Sequence, residues 1–483
     1  MGASDPHFFV CRTMLARPFI LLLSLLALTA STPTFAQLPP PVVRALQAAQ
    51  IPLDKVAVIV QPVDSATPTL AHNAEMVMNP ASVMKLLTTY AALNLLGPAH
   101  TWQTTILAEQ PVERGTLPGN LYLKGSGDPR FTVEHLWLLL RQLRTRGVDR
   151  IAGDIVLDRS VFASMTFDPA AFDNKPLRAY NVGPNGLLID FQALRFTLLT
   201  TDGQARAWLE SPSAGLIVDD RLQTLNGPCP GDWRDRIALA LIPDGSSRRL
   251  EIRGSYAVQC GERTVNLAPL SADAHASGLI LALWQELGGR IDGQVRPGQT
   301  PATAVALVRH ESAALGEVVR DINKYSNNVM ARQLFLTLGN DGAPASNERA
   351  TRRIIDWLRT RRLDFPELVI DNGSGLSRSE RISAGNMNRL LLDAWRSPVM
   401  PEFIASLPLA GIDGTMKKRL NGDAASGRAH IKTGTLNGVR TAAGYVLDAN
   451  GRRHALTFFI NDPRAQAGGE AIDALLNWLA DSR

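Results

Sequence analysis

Lysine is scarce in this 483-residue chain. It supplies 8 of the 50 basic residues, at positions 55, 85, 124, 175, 324, 417, 418 and 432, and arginine supplies the rest. A motif that contains lysine therefore stands well above its background. Cysteine is nearly absent, with three residues, and there is neither Cys-x-x-Cys nor His-Glu-x-x-His. Zinc is therefore not expected. A Gly-x-Ser-x-Gly elbow is also missing, which argues against a Ser-His-Asp hydrolase. His430, close to Lys432, reads instead as a strand histidine packed by its neighbours. The net charge of +5 is mild, and dense basic runs are confined to 359–362 and 417–419. These read as solvated faces and not as a nucleic-acid footprint. The charge is compatible with peripheral association with an anionic polymer or a membrane surface. The apolar run Phe19–Leu28 is too short to span a bilayer comfortably, so no transmembrane anchor is expected. No internal repeat or low-complexity segment is visible.

That run has another reading. Arg12 and Arg17 precede it, and the small-residue stretch Ser31–Ala36 follows, the order of a secretory signal with cleavage after Ala36. Met14 would start a more ordinary signal than Met1. Export leaves Cys229 and Cys260 as the mature chain's only cysteines, compatible with one disulfide in an oxidising compartment or with two buried thiols.

At 45% hydrophobic residues, the chain can bury two or three cores. A short helix is expected over 39–49, strands over 55–63 and 67–72, then one helix over Asn79–Gly97. Pro80 suits its first turn and Gly97-Pro98 its end. This helix has almost no polar face, so burial on most sides follows. From about 102 to 303 the texture changes to short candidate strands broken by Gly, Pro and Asp, at 121–124, 151–158, 194–200, 216–219, 237–241, 250–252 and 265–267. Helices over 133–146 and 274–287 interrupt them. The organisation expected is a signal (1–36), a first part of a main domain (37–101), a β-rich insert (102–303) and the main domain's return (304–483). The returning part carries helices at 315–319, 328–338, 351–362 and 386–395. Strands follow at 429–432, 443–447 and 454–460, then a helix from Glu470 to Ala480 that docks on its sheet.

Chemistry concentrates in three short motifs. Ser82-x-x-Lys85 places a hydroxyl and an amine one helical turn apart, and only this lysine is preceded by serine at that spacing. With 26 serines and so few lysines, roughly 0.4 chance matches are expected. Ser326-Asn327-Asn328 is the only Ser-x-Asn, and Lys432-Thr433-Gly434-Thr435 ends a strand. A serine needs a base before it attacks an amide carbonyl. A lysine serves only when neutral, which burial and a second cation would favour. Lys432 would supply that cation to Lys85.

The ordered trio Ser-x-x-Lys, Ser-x-Asn, Lys-Thr-Gly resembles the penicillin-binding protein and serine β-lactamase superfamily. More than 200 residues separate Ser82 from Ser326. With Tyr122–Pro129, Asp371–Ser377, Leu409–Thr415 and Gly444–Val446, that long insert makes the chain similar to D-alanyl-D-alanine carboxypeptidase/endopeptidases of the penicillin-binding protein 4 type. The resemblance covers the mature chain and is weakest over 160–260. It departs from the common pattern at Asn327 and Asn372.

The resemblance implies an α+β multi-domain fold. Its main domain is β-lactamase/transpeptidase-like, an antiparallel sheet with helices on both sides, and carries the β-rich insert. It implies a periplasmic enzyme acting on peptidoglycan stem peptides, acylated by β-lactam antibiotics and needing no metal or organic cofactor. Ser82 would be the nucleophile and Lys85 its base. Ser326 would relay a proton and Asn328 hold a substrate amide. Lys432, Thr433, Gly434 and Thr435 would receive the terminal carboxylate, with backbone N–H groups of Ser82 and Thr435 as oxyanion hole. Asp173 would meet the amino end of the stem's diamino acid. A serine β-lactamase-like hydrolase and a catalytically idle murein- or penicillin-binding scaffold are the competing readings.

Overall fold

The computed structural model describes residues 37–482 apart from Asp232 and Ser246. The signal reading, and Cys11 with it, lies outside the described residues. Strands Ala429–Leu436, Val439–Leu447, Arg453–Asn461, Val56–Pro62 and Leu70–His72 form, in that spatial order, one antiparallel sheet. All seven residues of Val56–Pro62 are buried, because both faces of this sheet are covered. The two-residue period of a strand divides them. Val56, Val58 and Val60 face a core with Val42 and Leu46 of the Pro40–Ala48 helix and Ile472, Leu475 and Leu476 of the Gly469–Asp481 helix. Ala57 and Ile59 face a second core with the helices Met84–Leu96, Leu315–Tyr325, Asn328–Leu338 and Ala384–Trp395. The turn carrying Ser82 packs against the Ala429–Leu436 edge strand at Gly434, and the Asp371–Ser377 segment packs on the same turn at Gly375.

The insert builds its own cores. Its five-stranded sheet runs Val295–Pro297, Ile155–Asp158, Leu121–Lys124, Gln103–Ala108, Val305–Glu311 and packs on the helices Val133–Thr145 and Ala272–Glu286. Gln103–Ala108 and Val305–Glu311 pair antiparallel, so the chain enters and leaves the insert side by side. Two further three-stranded sheets, one with Leu194–Thr201 at its centre and one with Ser247–Ala257, share another core. A Cys229–Cys260 disulfide ties that core together.

Two local expectations are corrected. The 151–158 stretch is two strands, Arg150–Ile151 and Ile155–Asp158, separated where Gly153 packs against the Gly119 carbonyl with no room for a Cβ. The helix expected over Asn79–Gly97 is a single 3₁₀ turn, Ala81–Val83, followed by an α-helix from Met84 to Leu96. Asn79 causes the break. Its Oδ1 accepts the Ala81 N–H at 2.8 Å while its Nδ2 donates to Ser377 O at 2.9 Å. Ala81 is left at φ +46° immediately before Ser82. At the far end Gly97, at φ +82°, stops the helix without penalty.

Candidate active site

Ser82 sits on the 3₁₀ turn and Lys85 in the first turn of the α-helix, so local geometry alone brings them together. Lys85 Nζ donates to Ser82 Oγ at 3.0 Å, to Asn328 Oδ1 at 2.6 Å and to the Ser374 carbonyl. Asn328 comes from a different helix. The Leu315–Tyr325 helix ends at Ser326 in the left-handed region (φ 55°, ψ 40°), and Asn327 caps the next helix by accepting the Met330 N–H at 3.0 Å. A non-glycine residue held left-handed costs on the order of 1 kcal/mol or more, and here it points Ser326 and Asn328 into one cleft.

The third motif arrives on the edge strand Ala429–Leu436. Lys432 Nζ donates to Ser326 Oγ at 2.9 Å and to Thr433 O at 2.7 Å. Each of the two lysines thus holds one of the two serines. Gly434 lets this strand approach the turn that carries Ser82. A Cβ there would run into Thr441 Oγ1 and come within 2.9 Å of Pro80 O and Ser82 N. Thr441 Oγ1 donates to Pro80 O at 2.8 Å, locking the strand pair to the turn from below. Thr433 Oγ1 lies 3.2 Å from Thr415 Oγ1, and Thr435 Oγ1 accepts from Arg440 at 2.8 Å.

Ser82, Asp173, Ser326, Asn328, Thr433 and Thr435 line one cleft of about 620 Å³. Asp173 reaches it from the insert. Its carboxylate accepts from Tyr180 OH at 2.7 Å, Asn181 Nδ2 at 2.8 Å and the Lys175 N–H at 3.1 Å. Burial and that carboxylate push the Tyr180 phenol up to about 12, so it stays a donor.

Both lysines are fully buried. Desolvation, then the nearby Lys432 and Arg332 charges, hold Lys85 well below the usual lysine range, while Glu380 opposes them. Burial brings Lys432 down to about 7. An amine near a serine hydroxyl is thereby available in neutral form, as nucleophile activation requires. His430 is neutral on the same strand, pushed down to about 4 by burial and the Arg453 charge. Sequence reasoning missed Glu380, Arg332, Thr415, Tyr180 and Arg440. Glu380 follows Arg378-Ser379 and precedes Arg381, a run that reads as a solvated turn. Nothing local marks it as buried.

The match to known proteins agrees with this geometry. A model of the D-Ala-D-Ala carboxypeptidase 3 (S13) family fits residues 42–482. The chain belongs to that family. As a member of the S13 family it is a serine-type peptidase. Among curated relatives, the D-alanyl-D-alanine carboxypeptidase DacB of Haemophilus influenzae is 27% identical over 81% of this chain and 82% of its own length. A D-alanyl-D-alanine carboxypeptidase of an Actinomadura species is 29% identical over 76% of this chain and 70% of its own. Among solved structures, penicillin binding protein 4 of Haemophilus influenzae aligns with a TM-score of 0.76 at 25% identity, covering 91% of this chain and 99% of that one. The fold is that α+β multi-domain, penicillin-binding type. Among the described residues no helix is long and apolar enough to cross a membrane.

Proposed function

We propose that this S13 peptidase is a D-Ala-D-Ala carboxypeptidase and D,D-endopeptidase that cleaves peptidoglycan stem peptides through an acyl-enzyme on Ser82. The observation that carries the reading is the pairing of two buried lysines with two serines, Lys85 with Ser82 and Lys432 with Ser326. Neutral Lys85 takes the Ser82 proton as Oγ attacks the carbonyl of the penultimate D-alanine. Negative charge then develops on the carbonyl oxygen, where the backbone N–H groups of Ser82 and Thr435 stabilise it. Ser326, bonded to Lys432, passes a proton to the departing amine, and Asn328 holds the substrate amide. The terminal carboxylate lies along Thr433, Gly434 and Thr435. Its charge draws a proton onto Lys432, which is poised near neutrality. Water then hydrolyses the ester by the reverse relay.

The same site would cut a terminal D-alanine or a cross-link, since both present a D-configured bond to Ser82. Asp173 would receive the amino group of the diamino acid side chain at the insert side of the cleft. β-Lactams would acylate Ser82 as substrate mimics. The signal-like residues 1–36 support a periplasmic location and contact with murein. Intact mass after incubation with benzylpenicillin tests the reading. One adduct per wild-type molecule, absent in Ser82→Ala, is expected. A folded wild type that takes no adduct would overturn the acyl-enzyme. Release of D-alanine from pentapeptides, set beside cleavage of cross-linked dimers, then measures the two activities.

A further inference from the structure

Glu380 is a fully buried carboxylate with no role in the scheme above. Its Oε1 accepts from three consecutive backbone N–H groups, those of Asp371, Asn372 and Gly373, at 3.4, 3.2 and 3.0 Å. Successive N–H groups converging on one oxygen form an anion-holding nest. Among the described residues its second oxygen, Oε2, has no hydrogen-bond partner.

The loop held by this nest is the wall of the catalytic turn. Gly373 O accepts from Thr88 Oγ1 at 2.6 Å, and Ser374 O accepts from Lys85 Nζ. Gly375, at φ +79°, lies so close to Ala81 and Ser82 that a Cβ would come within 2.7 Å of Ser82 Cα. Ser377 O receives the Asn79 side chain, the residue that breaks the helix ahead of Ser82. Four successive contacts along 373–377 therefore bear on Asn79, Ser82, Lys85 and Thr88, and Glu380 fastens the start of that loop.

We propose that Glu380 is a positioning residue for acylation: it fixes the Asp371–Ser377 loop whose Ser374 carbonyl orients Lys85, and its charge biases the proton on Lys85. The inference rests on Ser82 and Lys85 acting as nucleophile and base. The charged groups around the pair are known. Lys85 faces Lys432, Arg332 and Glu380, and Glu380 faces Asp371 besides. Arg332 is itself buried and donates to Val182 O at 2.8 Å and Tyr180 O at 3.1 Å. Burial, with Asp371 adding to it, pushes Glu380 up to about 7 against the pull of the backbone N–H groups. Glu380 thus gains its charge as pH rises through about 7, beside an amine that must lose its own proton before it can act as base. An ionised Glu380 keeps the proton on Lys85, while a neutral group at 380 releases it.

The test is the pH profile of acylation by a chromogenic β-lactam, followed by stopped flow in the full-length protein. Glu380→Gln keeps an acceptor for the nest and removes the charge. Its acid limb is expected to move to lower pH by about half a unit, roughly threefold faster acylation on that limb relative to its own plateau. Glu380→Asp keeps the charge but shortens the reach. It is expected to lower the plateau without moving the limb downward. A Glu380→Gln profile that coincides with wild type in shape, whatever its plateau, overturns the inference while leaving the catalytic reading intact. Wild type that is never acylated overturns both. A measurement on wild type alone covers a variant that does not fold: the Glu380 carboxyl, observed by ¹³C NMR, should shift its midpoint on acylation of Ser82. An unmoved midpoint overturns the proposal.

Discussion

Lys432 Nζ donates to Ser326 Oγ at 2.9 Å although 106 residues separate them in the chain. With Lys85 bonded to Ser82 three residues away, the cleft contains one amine–hydroxyl pair made by a helix turn and one made by the meeting of a strand and a helix terminus. The first pair survives any change of tertiary context that spares the helix. The second exists only when sheet and helices are docked.

Lys85→Arg should abolish acylation while leaving the fold in place. A guanidinium keeps the hydrogen bonds but does not give up its proton in this pH range. A loss of about 10³-fold or more in the acylation rate is expected, read by stopped flow against wild type. In wild type the rate should rise with pH along an acid limb, because the lowered pKa of Lys85 makes its neutral amine available as pH increases.

Lys432 should leave a signature in stability as well. Its folded pKa, about 7, lies below the unfolded value near 10.5. In that window the unfolded chain binds the extra proton. The stabilising contribution is therefore complete above pH 10.5 and lost as pH falls through 7. Lys432→Met removes the linkage. Urea titrations at several pH values should show wild type gaining stability from pH 7 to 10 relative to the variant, by up to about 1.4 kcal/mol per pH unit.

Gly434→Ala should separate geometry from chemistry. Every proton-carrying group stays, but a methyl within 2.9 Å of Pro80 O and Ser82 N pushes the edge strand from the nucleophile turn. A displacement of a few tenths of an ångström would suffice to misalign the proposed oxyanion donors, the N–H groups of Ser82 and Thr435. About 10²-fold slower acylation is expected, together with a lower Tm. Equal acylation rates in variant and wild type would show that the close approach has no catalytic consequence.

Asp173→Asn should be silent toward penicillins and costly toward peptides. The amide preserves bonding to Tyr180 or Asn181 but removes the charge that would face a substrate amine. Acylation by benzylpenicillin should stay near wild type. The kcat/KM for stem peptides with a free diamino acid amine should fall roughly 10-fold or more, and more at low salt.

The disulfide acts within the insert, closing a segment of sequence separation 31. Replacing Cys229 and Cys260 with serine should destabilise that β-rich core by about 3 kcal/mol. Penicillin acylation should survive at temperatures where the insert remains folded, since neither cysteine lines the cleft. Calorimetry of the variant, with and without bound penicillin, checks both points.

Much of this arrangement was legible before any coordinates. The spacing of Ser82 and Lys85 is a property of one helical turn, and the end of the Asn328–Leu338 helix could be read from its apolar pattern. The strands Leu121–Lys124 and Leu194–Thr201 stood out because leucine with tyrosine clusters in the first, and leucine with phenylalanine and threonine in the second. The strands Gln103–Ala108 and Gln204–Leu209 did not, although buried residues alternate with more exposed ones along both.

The amino-acid sequence by itself determined which residue types are present, their local spacing, the buried character of the Ser82 helix and the presence of a long insert. Those follow from periodicity, from a scarcity of lysine that made two of the motifs visible, and from Ser326-x-Asn328 occurring once in the chain. Only the tertiary structure decided the rest. The 3₁₀ turn that carries Ser82 depends on Asn79 bonding to Ser377, far along the chain. The depressed pKa values depend on complete burial of two ammonium groups, a quantity no local pattern encodes. The buried seat of Glu380 exists because three backbone N–H groups, seven to nine residues earlier, converge on a carboxylate that the sequence presents as solvated. Desolvation and convergence are properties of packing, and packing is assembled from segments that the chain itself keeps apart.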